Sequence, residues 1–282
     1  METEQAVLIN LADYEEFGGG YMATSYNHRD GKTMLKLYRA GVAEALPARE
    51  LQMARAVAAM GLPTPAAVRL VTDGSRFGAE FRRLHGKKSF ARAISDDPSS
   101  LEDYATAFAR MCRRLHATPC DKGVFPSAAD SFRRIVAECP HYAADEKARI
   151  VAFIDAVPQV DTCLHGDLHI GNVLRAEGRD YWIDLGDFAW GNPLFDVGMT
   201  YLACNCNDEE LSQYLYHVGY AQMQCVWRVF LSEYFGVQPG TAAAAEVEAR
   251  VRPFAALKML HFGTVDEMRP EMDAMIRQEL LS

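Results

Sequence analysis

Between residues 163 and 174 the chain reads Cys-Leu-His-Gly-Asp-Leu-His-Ile-Gly-Asn-Val-Leu, and Trp182-Ile183-Asp184-Leu185-Gly186-Asp187 follows shortly after. Leu164, Leu168, Val173, Leu174 and Ile183 bracket a cluster made of His165, Asp167, His169, Asn172, Asp184 and Asp187. Ionisable and amide groups set among core-forming residues lose hydration, and only partners, a metal or a ligand can offset that loss. Any fold open to this chain must gather such partners here, so this is the first place to look for chemistry.

The 282 residues allow one large domain or two modest ones, and 49% hydrophobic with 24% charged residues is an ordinary balance for a globular chain. No run of 18 apolar residues appears, so no membrane-spanning helix is expected. The start, Met1-Glu2-Thr3-Glu4-Gln5, lacks the basic end and apolar core of a secretory signal. Seven irregularly spaced cysteines argue for free thiols in a reducing compartment, and together these features give a cytoplasmic expectation. Cys204 and Cys206 have no second pair at zinc-site spacing. A net charge of −9 without a basic run argues against nucleic acid and is compatible with a cationic small substrate. Nothing in the sequence speaks to oligomeric state.

The first part of the chain reads as strands with one helix. Strand candidates are 7–9, 24–28 and 33–38, the last following the Asp30-Gly31 turn. A helix is expected over 44–60, stopped by Gly61 and Pro63, and a second hairpin over 68–71 and 78–81 around Asp73-Gly74. From Ser99 the period changes. Leu101, Tyr104, Ala105, Phe108, Met111, Cys112 and Leu115 share a helical face, with Ser99 or Ser100 as cap. Further helices are expected over 129–138, 145–156, 195–204, 209–235, 242–260 and 264–280. The composition shift divides the chain into a strand-rich part at 1–84, a connector at 85–98 and a helical part at 99–282. The fold class is α+β.

Lys36 stands mid-strand, where a lysine is ordinarily a solvated edge residue. The following helix supplies a reason for another role. Leu46, Glu50, Met53, Ala54 and Val57 share one face, so Glu50 sits in an apolar stripe where an unpaired carboxylate is costly. Lys36 is its natural counter-ion, and a strand lysine followed by a helix glutamate is the arrangement a kinase uses against nucleotide phosphates. Upstream, Phe17-Gly18-Gly19-Gly20-Tyr21 reads as a turn, either a plain hairpin loop or one whose amides approach phosphate. It fits neither the Walker A pattern nor a full G-x-G-x-x-G.

The central cluster is more specific. Phosphoryl transfer needs a carboxylate beside the acceptor hydroxyl and hard oxygen ligands for magnesium on the phosphates. Asp167, Asn172 five positions on, and Asp184 after a hairpin turning at Glu177-Gly178 have those residue types. The stretch resembles the aminoglycoside phosphotransferase and choline-kinase-like family. The matching residues are His165-Gly166-Asp167, Asn172, Ile183-Asp184-Leu185-Gly186-Asp187 and Gly191-Asn192-Pro193-Leu194-Phe195-Asp196.

That resemblance implies a protein-kinase-like bilobal fold, with residues 1–84 as the nucleotide-binding lobe and 99–282 carrying the catalytic loop and acceptor site. It implies ATP or GTP as co-substrate, Mg2+, and a small-molecule hydroxyl acceptor such as an aminoglycoside or amino alcohol. Asp167 becomes the catalytic carboxylate, and Asn172 and Asp184 become magnesium ligands. Lys36, paired with Glu50, reaches the α and β phosphates. Gly19 and Gly20 fall near the phosphates, and the stretch 80–84 with Phe81 and Arg83 becomes the connector facing the base. His165 braces the loop, Asp196 bonds its amides, and Asp187 either positions metal or substrate or braces the loop.

Two other classes stay open. A nucleotide-binding pseudo-kinase could act as a regulatory or interaction module. His165-x-Asp167-x-His169 invites a zinc-hydrolase reading, which leaves Lys36, Glu50 and Asn172 without roles. His85 and His116 show no partner in the sequence. Tyr214, Tyr216, Tyr220 and Trp227 read as core packing first and as a substrate wall second. The missing Ala-Pro-Glu element disfavours a protein substrate.

Overall fold

A computed structural model describes residues 5–19, 22–265 and 268–282, leaving aside the side chains of 264 and 265. The chain forms two compact units. One holds residues 1–88 with 174–186, the other 89–173 with 187–282. The first unit is therefore discontinuous, which differs from the expected division at 84 and 99. The hairpin of 173–176 and 179–182 and the Asp184 turn return to it from deep in the sequence.

Six strands of the first unit are β1 (Val7–Leu8), β2 (Tyr14–Gly19), β3 (Ala23–His28), β4 (Thr33–Tyr38), β5 (Ala67–Thr72) and β6 (Phe77–Arg82). They form one sheet in the order β1-β5-β6-β4-β3-β2, parallel only between β1 and β5. Alternation turns Leu35 and Leu37 to one face, where they pack with Tyr14, Tyr26 and Val71. The opposite parity turns Met34, Lys36 and Tyr38 to the other face. Helix α1 (Ala45–Ala59) buries Pro47, Glu50, Leu51, Met53, Ala54 and Val57, whereas Leu46, expected on this stripe, is 39% exposed.

Strand β2 has no counterpart in the sequence reading, which treated 17–21 as a turn. Gly18 and Gly19 instead pair with Ser25 and Thr24 beyond a register shift after Glu16. The two acidic residues and two glycines of this strand carry little strand propensity, so it owes its place to pairing with β3. Gly20 and Tyr21 lie outside the described residues.

The returning hairpin turns on Glu177 and Gly178, with φ of 52° and 74°, as a tight two-residue turn requires. It is tied down at three points. Leu174, Ala176 and Tyr181 pack with Leu84, Glu177 pairs with Arg82 at 2.7 Å, and Trp182 N donates to Pro63 O at 2.9 Å.

The second unit is helical: α2 (Phe90–Asp96), α3 (Leu101–His116), α4 (Ala128–Glu138), α5 (Ala144–Ala156), α6 (Leu194–Asn205), α7 (Glu209–Tyr216), α8 (Tyr220–Phe230), α9 (Ala242–Val265) and α10 (Pro270–Leu280). Acidic residues in the first turn of α3 and basic residues in its last complement the helix dipole. Ser100 takes the expected cap position but makes no side-chain capping bond; its Oγ donates to Asp97 O at 2.6 Å instead. The single helix expected over 209–235 breaks at His217, which is left-handed at φ 59°, and ends in a π-helical turn over 231–235. Two short strands, 162–164 and 189–191, pair antiparallel and flank the loop that carries Gly166 and Asp167.

Helices α6 and α9 touch backbone to backbone. A Cβ on Gly198 would lie 2.6 Å from the Phe254 carbonyl carbon, so only glycine fits. Phe195 packs against Phe254 and Phe132 at 5.2 and 5.4 Å between ring centroids.

In the β5–β6 turn, Asp73 accepts from the Ser75 and Arg76 amides at 2.9 and 2.8 Å. Burial alone would raise its pKa; those amides and the Arg76 guanidinium lower it to about 2. Because the folded value is depressed, its contribution is full above the unfolded value near ~4 and is lost as pH falls through about 2. Asp73→Ala is expected to lower stability by about 1–2 kcal/mol at pH 7. Urea unfolding should show that difference shrinking below about pH 4.

Candidate active site

In the second unit the loop after strand 162–164 turns at Gly166, whose φ is 86°. A Cβ there would lie 2.1 Å from the Asp187 carbonyl oxygen, so the loop accepts only glycine. Asp196, fully buried near the start of α6, takes the His165 amide at 2.6 Å and the Gly166 amide at 2.8 Å. Its Oδ2 also meets His116 Nε2 at 3.1 Å, and His116 Nδ1 lies 2.6 Å from the Tyr234 hydroxyl. His116, which showed no partner in the sequence, is thus the ring that backs the buried carboxylate. Burial would raise the Asp196 pKa, and His116 and His165 with the His165 amide hold it low instead.

Asp167 follows, its carboxylate about one-third exposed at 32%. The Asn172 amide donates to Asp167 O at 2.8 Å and to Asp167 Oδ2 at 2.9 Å. His169 Nε2 stands 3.4 Å from the same oxygen, and its other ring nitrogen accepts the Gly171 amide. Burial pushes the Asp167 pKa up, but His169, Lys258 and His165 outweigh it and keep the group well below the usual carboxylate range. Asp167 is ionised, oriented and still reachable. The Asp187 main chain lies against Gly166, and the residue is exposed.

In the first unit, Lys36 Nζ donates to Glu50 Oε1 at 2.9 Å and to Asp184 Oδ1 at 2.8 Å. The Tyr38 hydroxyl donates to the other Glu50 oxygen, a partner the sequence reading missed although alternation puts Tyr38 beside Lys36. Burial works against the Lys36 charge; Asp184 and Glu50 overcome it and raise the pKa well above the ordinary lysine value. Asp184 is left-handed at φ 62°, a strained conformation for a residue with a side chain. Arg49 Nε holds Gly186 O at 3.1 Å, fixing the turn that carries Asp184.

The family model described as the phosphotransferase enzyme family matches residues 13–225. The chain belongs to the phosphotransferase enzyme family. No curated protein matches it significantly. Solved structures show the same mixed α+β, protein-kinase-like fold. One is a thermostable mutant of aminoglycoside phosphotransferase APH(4)-Ia in a ternary complex with ADP and hygromycin B, 16% identical, TM-score 0.63, covering 94% of each chain. Another is a choline/ethanolamine kinase family protein from Mesorhizobium loti, 17% identical, TM-score 0.55, covering 94% of this chain and 86% of that one. A third is the amicoumacin kinase hAmiN in complex with AMP-PNP, Ca2+ and Ami, 13% identical, TM-score 0.57, covering 98% and 89%.

A magnesium ion on a nucleotide would ask for hard oxygen donors. Asn172 spends its NH2 group on the loop, which leaves its amide oxygen for a cation. Asp184 is half exposed and has one oxygen beyond the Lys36 contact. The donor types fit. The zinc reading does not: among the described residues no group of three or more His, Cys, Asp or Glu could hold a metal.

The connector expected at 80–84 begins later than the sequence implied. Phe81 lies inside β6, pairs with Met34 and Ala67, and is buried. Glu80, 1% exposed, accepts from Tyr14 at 2.5 Å, Thr33 at 3.2 Å and Arg69 at 2.6 Å, a structural network with no role in the site. Arg83 N donates to Lys32 O at 2.9 Å, just past the strand end. Lys87 falls in the stretch 85–98 expected as a connector. Its ammonium lies 4.3 Å from the Phe17 ring centroid, and burial together with Arg83 lowers its pKa to about 8. Of the candidate substrate wall, Tyr216 and Trp227 are buried, with Tyr216 5.0 Å from the His169 ring, whereas Tyr214 is exposed. All seven cysteines are free thiols. Among the described residues no helix is long and apolar enough to cross a membrane.

Removing the Asp196 carboxylate leaves the His165 and Gly166 amides and His116 Nε2 without their partner. Asp196→Ala is expected to lower unfolding free energy by about 3 kcal/mol or more, read by urea denaturation at pH 7.

Proposed function

We propose that this phosphotransferase moves the γ-phosphoryl group of ATP, or of GTP, to a hydroxyl of a small molecule such as an aminoglycoside or amino alcohol. The observation that carries the reading is the state of Asp167: ionised, held by Asn172 and His169, and partly exposed. A carboxylate held this way orients an acceptor hydroxyl and takes its proton as the bond to phosphorus forms. With its pKa so low, Asp167 is a weak base. Its main contribution is aim, and the proton moves late, as a loose transition state permits.

Lys36 clamps the α and β phosphates, and Glu50 with Tyr38 keeps its ammonium directed. Nucleotide contacts are assigned to the backbone around Gly19 and to the stretch at Arg83 that follows β6. Asn172 and Asp184 are the magnesium ligands in this reading. Bound there, Mg2+ would offset the charge on the phosphates and tie them in place. His165, Asp187 and Asp196 support the loop rather than touch substrate. The named complexes of the structural relatives, one with ADP and hygromycin B and one with AMP-PNP, Ca2+ and Ami, support a nucleotide and a small-molecule acceptor.

The test is nucleotide turnover with Mg2+ across a panel of aminoglycosides, amino alcohols and sugars. Asp167→Asn is expected to lower kcat by about 10³ with nucleotide affinity nearly unchanged. Asp184→Ala is expected to weaken Mg2+-nucleotide binding as well as turnover. Nucleotide binding with no turnover of any acceptor, in wild type as in Asp167→Asn, would favour a binding module instead.

A further inference from the structure

Helix α9 carries an apolar run, Ala255-Ala256-Leu257, then Lys258, then Met259-Leu260. Lys258 is 7% exposed, where an apolar residue is the ordinary occupant. A buried ammonium is retained against a large desolvation penalty only if it has partners. Its hydrogen bond goes to the carbonyl oxygen of Gly166, in the catalytic loop 92 residues earlier. The Phe132 ring lies 5.6 Å from the ammonium.

This contact completes a grip on one residue. Asp196 of α6 takes the Gly166 amide, the Asp187 main chain abuts its α-carbon, and Lys258 of α9 takes its carbonyl. The carbonyl belongs to the Gly166–Asp167 peptide, so fixing it fixes the plane from which the Asp167 side chain departs. The two helices that supply Asp196 and Lys258 are themselves locked together where Gly198 meets Phe254. The remaining charged or titratable groups toward Lys258 are Asp167 and His261.

We propose that Lys258 is a positioning residue for phosphoryl transfer: its buried ammonium holds the Gly166 carbonyl and so sets the aim of the Asp167 carboxylate. The inference rests on the reading of Asp167 given above. Lys258 acts through the loop and touches neither nucleotide nor acceptor, so its loss changes the rate of the chemical step and leaves substrate binding alone. A misplacement of about 1 Å in an aiming group lowers rates by as much as about 10².

Lys258→Met keeps the stem volume and removes the donor and the charge. The expected result is a fall in kcat of about 30-fold or more, with KM for nucleotide and acceptor within about threefold and nucleotide affinity unchanged. Lys258→Arg, which keeps donor and charge, is expected to recover at least one-tenth of the wild-type kcat at the same KM. A Lys258→Met enzyme with wild-type kcat overturns the inference. So does one whose defect lies in KM alone, which would make Lys258 a binding residue. Should Lys258→Met fail to fold, Lys258→Arg decides alone: lowered kcat at unchanged KM supports positioning, and unchanged kcat with raised KM overturns it. Asp167→Asn in parallel separates the two levels. If that variant stays active, the reading of the site has failed; if it is dead while Lys258→Met is unaffected, only the Lys258 inference has.

Discussion

The buried carboxylate of Asp196 organises the second unit around the loop at 165–172. It receives two consecutive backbone amides and a histidine, and nothing in the loop could keep its geometry if those donors were left unpaired in the interior. His116 and Tyr234 extend the chain of bonds to α3 and the turn after α8, so three separated segments share the task. The first unit solves a parallel problem with Lys36. There the half-buried charge is a cation, and Glu50, Tyr38 and Asp184 are the groups that make it tolerable.

Much of this was readable from residue order. Glu50 stood out because a carboxylate in an apolar helical stripe demands a cation, and Lys36 was the cation at hand; the structure pairs them. The strands at 33–38 and the helix at 101–116 carried clear periods, and both have the predicted limits. Asp167 and Asn172 were legible as a pair because their spacing belongs to one loop, and the bond between them is a local contact.

What stayed hidden was long-range or set by pairing. Lys258 looked like one more lysine in a helix, because its partner is a backbone carbonyl that leaves no trace in side-chain pattern. His116 is 80 residues from Asp196, and no periodicity links them. Strand β2 has poor strand residues and exists through its neighbour, so local propensity pointed to a turn. The break at His217 escaped because the helical pattern resumes on the far side in a similar phase.

The return of the 174–186 segment to the first unit has a consequence for how the chain is made. Lys36 and Asp184 are 148 residues apart, so when the ribosome has released the six-stranded sheet, one of the two carboxylates beside the lysine has not yet been synthesised. Leu84 and the carbonyl of Pro63 likewise wait for the hairpin. The sheet can form early with Lys36 leaning on Glu50, but it acquires its full set of contacts only after the 89–173 part of the helical unit's chain has emerged. Completion of the nascent first unit is thereby timed by translation of the second.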